Sequence, residues 1–240
     1  ICDLPQYMKI KTIALNTLKE AIRDKVFYNL LIFALLAIAA SVLIGNLSIG
    51  VNEKIIKDIG LAAILLFGML TSILIGISLV SKEVERRTLY TILAKPVHRY
   101  EFLLGKYLGL CLTLFVNVVV MGIFLLLIVK WQHGALNTGL LKAILLIYCE
   151  LALVTAMALL FSTLSSPTLS AVFTLALYII GHLTADLKDV GNAAKSQFSR
   201  SLIDLCYYLL PNFNNFNIRA EVVHGVHIGN TYIFSTLLYS

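Results

Sequence analysis

The segment Ser81–Gly109, SKEVERRTLYTILAKPVHRYEFLLGKYLG, constrains this chain more than any other. Between Lys82 and Lys106 it holds Lys82, Arg86, Arg87, Lys95, Arg99 and Lys106 together with Glu83, Glu85 and Glu101. The stretches on either side, Ile59–Ser81 and Tyr107–Val129, contain no formal charge. Each is long enough to cross a bilayer core, which takes roughly 20 apolar residues in a helix. The charged segment therefore lies in water at one membrane face. Composition agrees: 59% of the residues are hydrophobic and 13% charged, against about 25% charged in soluble domains, and mean hydropathy is +0.89. The expected fold class is an all-α polytopic membrane protein.

Within the segment, Lys82–Leu93 is rich in Glu, Arg and Leu and suits a short helix. Pro96 ends it, because proline lacks an N–H and clashes with the preceding turn. Arg99 then begins a second helical run that feeds the next span. Helix, proline elbow and helix make a stiff connection; an ordinary basic loop is the plainer reading of the same charges.

The run KEVERRTLYTILAKPVHRYEFLLGKYLG resembles the loop between the second and third spans of type-2 ABC exporter permeases, and more narrowly the NosY-like subgroup, which includes the nitrous-oxide-reductase maturation permease. The resemblance rests on Arg87-Thr88-Leu89 and on Pro96-Val97-His98-Arg99-Tyr100-Glu101-Phe102-Leu103-Leu104-Gly105-Lys106-Tyr107-Leu108-Gly109. Many relatives have Gly-Thr where this chain has Arg87-Thr88. The resemblance extends over nearly the whole chain from Met8. It implies six spans per half, a dimer of halves, and a separate cytoplasmic ATPase subunit that holds the ATP and Mg. It also implies a coupling role toward that subunit for Glu83, Glu85, Arg86, Arg87, Leu89, Pro96, Arg99 and Glu101. The translocation path would form between the halves, partly from the second and fifth spans.

Taken in order, Ile1–Tyr7 is set apart as an extension, because Met8-Lys9-Ile10-Lys11 looks like a native start. Residues 8–240 read as one transmembrane domain. Met8–Lys25 is amphipathic: Lys9, Thr12, Asn16, Lys19, Glu20 and Arg23 recur at helical spacing opposite Ile10, Ile13, Ala14, Leu18 and Ala21. Such a helix suits the membrane interface. Spans are expected at 26–46, 59–80, 107–129, 140–161 and 168–183, with a sixth, truncated, from 231 to 240 onward. Leu47–Asp58 reads as a polar turn, and Ser162–Pro167 as the turn that divides an apolar region too long for one helix. Trp131, in the loop Lys130–Asn137, suits an interfacial anchor. Asp186–Asn230 is the largest polar region; Ser196–Leu210 suits a surface helix and Pro211–Asn217 a turn.

Met8–Lys25 and Lys82–Lys106 contain eleven Lys and Arg, and the rest of the chain contains eight in more residues. That bias places the amphipathic helix and the elbow in the cytoplasm, and the resemblance implies the inner membrane of a prokaryote. The net charge of +6 fits cytoplasmic loops against anionic lipid. No basic patch is interleaved with aromatics, so nucleic acid is not an expected partner; membrane lipid is. The chain has no G-x-x-x-x-G-K-[ST], so it is not expected to hydrolyse ATP or to act as an enzyme. Gly134–Gly139 has the glycine spacing, but Leu140 stands in place of the lysine. Cys2, Cys111, Cys149 and Cys206 form no CxxC pair and point to neither a disulfide framework nor zinc.

Within the spans, Gly68, Ser72 and Gly76 line one side of the second, and Gly105 and Gly109 form GxxxG at the start of the third. Small residues at this spacing let helices approach closely, within one chain or across a dimer seam. Glu150 and Asn117 fall midway along the fourth and third spans. They read as a pair hydrogen-bonded across helices, worth roughly 0.6–2 kcal/mol; a functional carboxyl is the alternative. His182 and Asp186 miss the acyltransferase H-x4-D spacing by one residue. His224 and His227 make an HxxH pair, short of the roughly four ligands of a closed metal site, so no metal is expected. The function expected is the permease half of an ATP-driven exporter. The alternative is a non-transporting scaffold or mechanotransmitter of the same fold, which transport in proteoliposomes would separate.

Overall fold

A computed structural model of the protein describes residues 6–47, 51–85, 99–133, 138–193 and 213–223, together with Thr236. Among these residues the secondary structure is helical, with no strand. The main helices are α1 (Gln6–Arg23), α2 (Lys25–Leu47), α3 (Asn52–Glu85), α4 (Arg99–His133), α5 (Thr138–Leu164) and α6 (Pro167–Ala193). A 3-10 turn at Phe213–Phe216 and a short helix α7 (Arg219–Val223) follow. Four helices are long and apolar enough to cross a membrane: Lys25–Leu47, Asn52–Leu79, Tyr100–Gln132 and Thr138–Leu164. The apolar part of α6, Pro167–Leu183, is shorter. The protein is therefore a multi-pass membrane protein.

α3 is the most buried of the four. One side of it is nearly flat, and larger side chains from neighbouring helices fill that side. Gly60 lies against Leu125 of α4, and Gly68 against Leu151 of α5. Ser72 Oγ is 2.9 Å from Thr155 Oγ1 on α5, and Gly76 faces Ala158. The Gly68, Ser72 and Gly76 stripe thus serves packing inside this chain, since lipid gives helices no hydrophobic drive to associate and close contact must supply it.

The helix ends depart from expectation in places. Leu47–Asp58 is only partly a turn: α3 starts at Asn52, so Glu53 and Lys57 are helical and form an i,i+4 ion pair. An acid in the first turn meets the positive end of the helix dipole. Asn52 Nδ2 donates to Asn46 Oδ1 at 3.0 Å and ties α3 to the end of α2. At the other end, α3 continues without a break through Lys82 to Glu85. The first turn of the expected short helix is therefore an extension of the second span. Residues 86–98, including Arg86, Arg87, Leu89 and Pro96, lie outside the described residues. α4 runs on to His133, past the expected loop start at Lys130, and Trp131 on its last turn is 92% exposed.

The turn expected at Ser162–Pro167 is narrower: α5 runs to Leu164 and α6 starts at Pro167, so only Ser165 and Ser166 lie between them. Pro167 occupies the first position of α6, where its missing N–H costs nothing. Ser170 Oγ donates to the carbonyl oxygens of Phe161 at 2.8 Å and Ser166 at 2.9 Å, which closes the hairpin. Ser196–Leu210 and the residues expected as a sixth span lie outside the described residues, except Thr236. Of the turn expected at Pro211–Asn217, the described part is a 3-10 turn that buries Phe213 and Phe216, and Ile218 and Val222 beyond it are buried in the same apolar core.

Candidate functional site

Three polar or close-packed features stand out from an otherwise apolar bundle. The first is at the elbow end, where α1 runs alongside the start of α4. Gly105 and Gly109 leave the surface of α4 open there. A Cβ added at Gly109 would lie 2.6 Å from the Ala14 carbonyl oxygen and 2.6 Å from Thr17 Cβ. Ala14, Thr17 and Ala21 are the residues of α1 that this contact buries. The amphipathic helix thus gives its apolar stripe to protein, while Lys11, Asn16, Lys19, Glu20 and Arg23 remain exposed.

Next to this contact, Lys106 is 1% exposed, and lysine is almost never buried unless paired. Its Nζ donates to the carbonyl oxygen of Leu79 on α3 at 3.4 Å and lies 5.5 Å from the centroid of the Phe102 ring. α3 and α4 are therefore pinned together just before the charged segment that joins them. Glu101 is also buried. Glu83 and Glu85 stand on the last turn of α3 and Arg99 on the first turn of α4; their side chains lie outside the described residues.

The second feature is the mid-span contact among α3, α4 and α5. Asn117 Nδ2 donates to Thr71 Oγ1 at 3.2 Å. Thr71, Thr113 and Thr155 each return a hydroxyl to the backbone carbonyl four residues earlier. The hydroxyls are thus satisfied within their own helices, and Ser72 and Asn117 link one helix to the next.

The third feature is Glu150. The expected Glu150–Asn117 pair does not form: Asn117 turns to α3, whereas Glu150 points toward α6. Its Oε1 lies 3.4 Å from Nε2 of His182, and Tyr178 is its side-chain hydrogen-bonding neighbour. Glu150 itself is 1% exposed. Tyr178 and His182 are one turn apart on α6, with ring centroids 4.6 Å apart. Phe213 completes the cluster at 5.5 Å from the Tyr178 ring and 5.8 Å from the His182 ring, nearly parallel to the latter at 29°. A cavity of about 10 Å³ lies between Glu150 and the Phe213–Val223 segment, bounded by Leu65, Ala143, Asn217 and Arg219 among others. Arg219 Nε donates to Asp58 Oδ1 at 2.7 Å, joining the segment to the start of α3.

Sequence reasoning singled out Glu150 but not its partners. The signal was present in Tyr178 and His182 at i,i+4, two polar aromatics on one face of an apolar helix. No metal-binding group of three or more His, Cys, Asp or Glu occurs among the described residues. Cys111 and Cys149 are free thiols, and His224 and His227 lie outside the described residues.

A helical bundle with four helices long and apolar enough to cross a membrane defines a polytopic membrane protein. The model of the ABC-2 family transporter proteins matches residues 11–197, and the chain belongs to that family. It is accordingly a permease component of an ABC transporter, and membership implies an ATP-binding partner subunit. No curated protein matches the chain.

Proposed function

We propose that this chain is the transmembrane half of an ATP-driven exporter, with the elbow end in the cytoplasm and a sixth span completing each half. Two halves, identical or paralogous, would form the pathway in the inner membrane of a prokaryote. The NosY-like subgroup is the narrower assignment that the Pro96–Gly109 motif favours.

The observation that carries the reading is the pair of unbroken helices on either side of the charged segment. α3 has 34 residues and α4 has 35, or about 51 and 52 Å at 1.5 Å per residue. The bilayer core needs only about 30 Å. Each helix is therefore a continuous rod from the elbow end to the far side of the core, and Lys106 joins the two where they approach the elbow. A push delivered by an ATPase at residues 82–99 would move both rods as one rigid body.

The test replaces Glu83, Arg86 and Arg87 together by alanine, and separately Pro96 by alanine. The triple variant is expected to weaken ATPase binding through lost charge complementarity while keeping helix propensity. Pro96→Ala is expected to retain binding and to lose stimulation of hydrolysis. Pull-down and hydrolysis rate in nanodiscs report both. Wild-type values in both variants would reject the elbow as the coupling element. Intact coupling without transport in proteoliposomes would favour a mechanotransmitter.

A further inference from the structure

An acid in the middle of a membrane helix is costly, and the cost falls if the group is neutralised. Glu150 sits 12 residues into α5 and is fully buried, yet its Oε1 makes no hydrogen bond. The imidazole of His182 is 3.4 Å away. A proton on either partner removes the net charge of a bare carboxylate: Glu150 O–H can donate to neutral His182 Nε2, or His182 Nε2–H can donate to the Glu150 carboxylate. The two forms differ only in which atom carries the proton.

We propose that Glu150 and His182 form a proton-binding site inside the bundle, and that the proton it holds fastens the Phe213–Val223 segment to α6. Three observations support this. The carboxyl is buried, and its Oε1, which makes no hydrogen bond, lies 3.4 Å from a titratable ring. That ring is also the surface on which Phe213 packs, so its charge and orientation bear on the docked segment. The cavity beside Glu150 is about the size of one water, and it is bounded by the same segment.

The titratable and charged neighbours define how the site responds. From α6, Tyr178 and His182 face Glu150. From the Phe213–Val223 segment, Arg219 lines the shared cavity, with its Nε bonded to Asp58 of α3. On α3, Lys57 is paired with Glu53, and Leu65 is the residue at the cavity wall. On α5 the adjacent Cys149 is half-buried, and α4 places Asn117 against Thr71 instead. Among the described residues His182 is thus the base placed to share the proton. Loss of that proton leaves an anion beside Phe213 and Tyr178, which destabilises the packing of the segment on the His182 ring. A second proton leaves an imidazolium facing a neutral acid.

The proposal requires neither ATP nor cargo, so its failure and that of the exporter reading are distinguishable. The test uses the full chain in nanodiscs. Infrared difference spectra across pH follow the protonated-carboxyl band, and hydrogen–deuterium exchange, corrected for intrinsic rates, follows the peptide covering 213–223. A coupled pair takes up its protons in two steps. Wild type is expected to show a two-step carboxyl titration. Protection at 213–223 should change about tenfold across it, the factor that matches one pH unit of linkage. Glu150→Gln should remove the band and flatten the protection profile; His182→Gln should leave a single step. An unchanged band in Glu150→Gln, or equally pH-dependent protection there, would overturn the proposal. If Glu150→Gln does not fold, His182→Gln decides alone: one step supports the site, and an unaltered two-step curve refutes it.

Discussion

Gly109→Ala separates the packing argument from helix propensity. Alanine in place of glycine within a helix normally stabilises by roughly 0.5–1 kcal/mol. At Gly109 the new methyl would sit 2.6 Å from the Ala14 carbonyl oxygen, a backbone atom that cannot rotate away, and 2.6 Å from Thr17 Cβ. Relief requires α1 to shift, and an overpacked contact of this kind costs about 1–3 kcal/mol. The two effects oppose each other, and the clash is the larger. A net loss of roughly 0.5–2 kcal/mol is expected. Gly76→Ala is the matched control. Its methyl would meet Ala158 Cβ at 3.7 Å and Leu110 Cδ1 at 3.9 Å, both ordinary contacts, so the propensity gain should survive. Unfolding from mixed micelles by SDS gives both values, and a cysteine crosslink between α1 and α4 reports whether the helix has moved. Equal stability of the two variants would refute the reading that α1 is seated by the glycines of α4.

Glu150→Leu should destabilise by about 1–3 kcal/mol by stranding buried polar groups on α6, whereas Glu150→Gln should keep most of the stability; the same unfolding assay ranks them. Phe213→Ala removes a buried ring from the Tyr178–His182 cluster and should cost roughly 3–5 kcal/mol, seen also as faster hydrogen exchange across 213–223. Asp58→Asn should cost less than about 1 kcal/mol, because the pair with Arg219 is exposed to screening, and added salt should erase the difference. For topology, a cysteine at Asn192 should react with an impermeant reagent from outside while one at His98 is spared; the reverse pattern would invert the orientation.

The class of the protein was legible because charge is excluded from long stretches and gathered between them. The start of α4 was legible from Pro96, and the hairpin turn from its cluster of Ser and Pro. Helix ends were harder. Asn52–Asp58 reads as polar, but once Glu53 and Lys57 pair within a helix the same residues extend α3. The small-residue stripes were visible, and their partners were not: GxxxG gives close approach without saying to what, and at Gly105 and Gly109 the partner is α1. Position along the spans gives Asn117 and Glu150 the same depth and nothing more. Rotation about the helix axis decides which neighbour a side chain meets, and it turns Asn117 to Thr71 and Glu150 to His182. The asparagines around Phe213 and Phe216 signal a turn; the burial of the two rings depends on a return to the bundle that local sequence does not encode.

The pairing of Glu150 with His182 also bears on how the chain is made. The two residues lie 32 positions apart, on consecutive helices. At 5–20 residues per second of synthesis, His182 is added roughly 2–6 s after Glu150. During that interval the acid of α5 exists and its partner does not. Insertion of α5 is therefore best timed with that of α6, as a hairpin released to lipid in one step. The two-residue connection, Ser165 and Ser166, is short enough for the two helices to travel together.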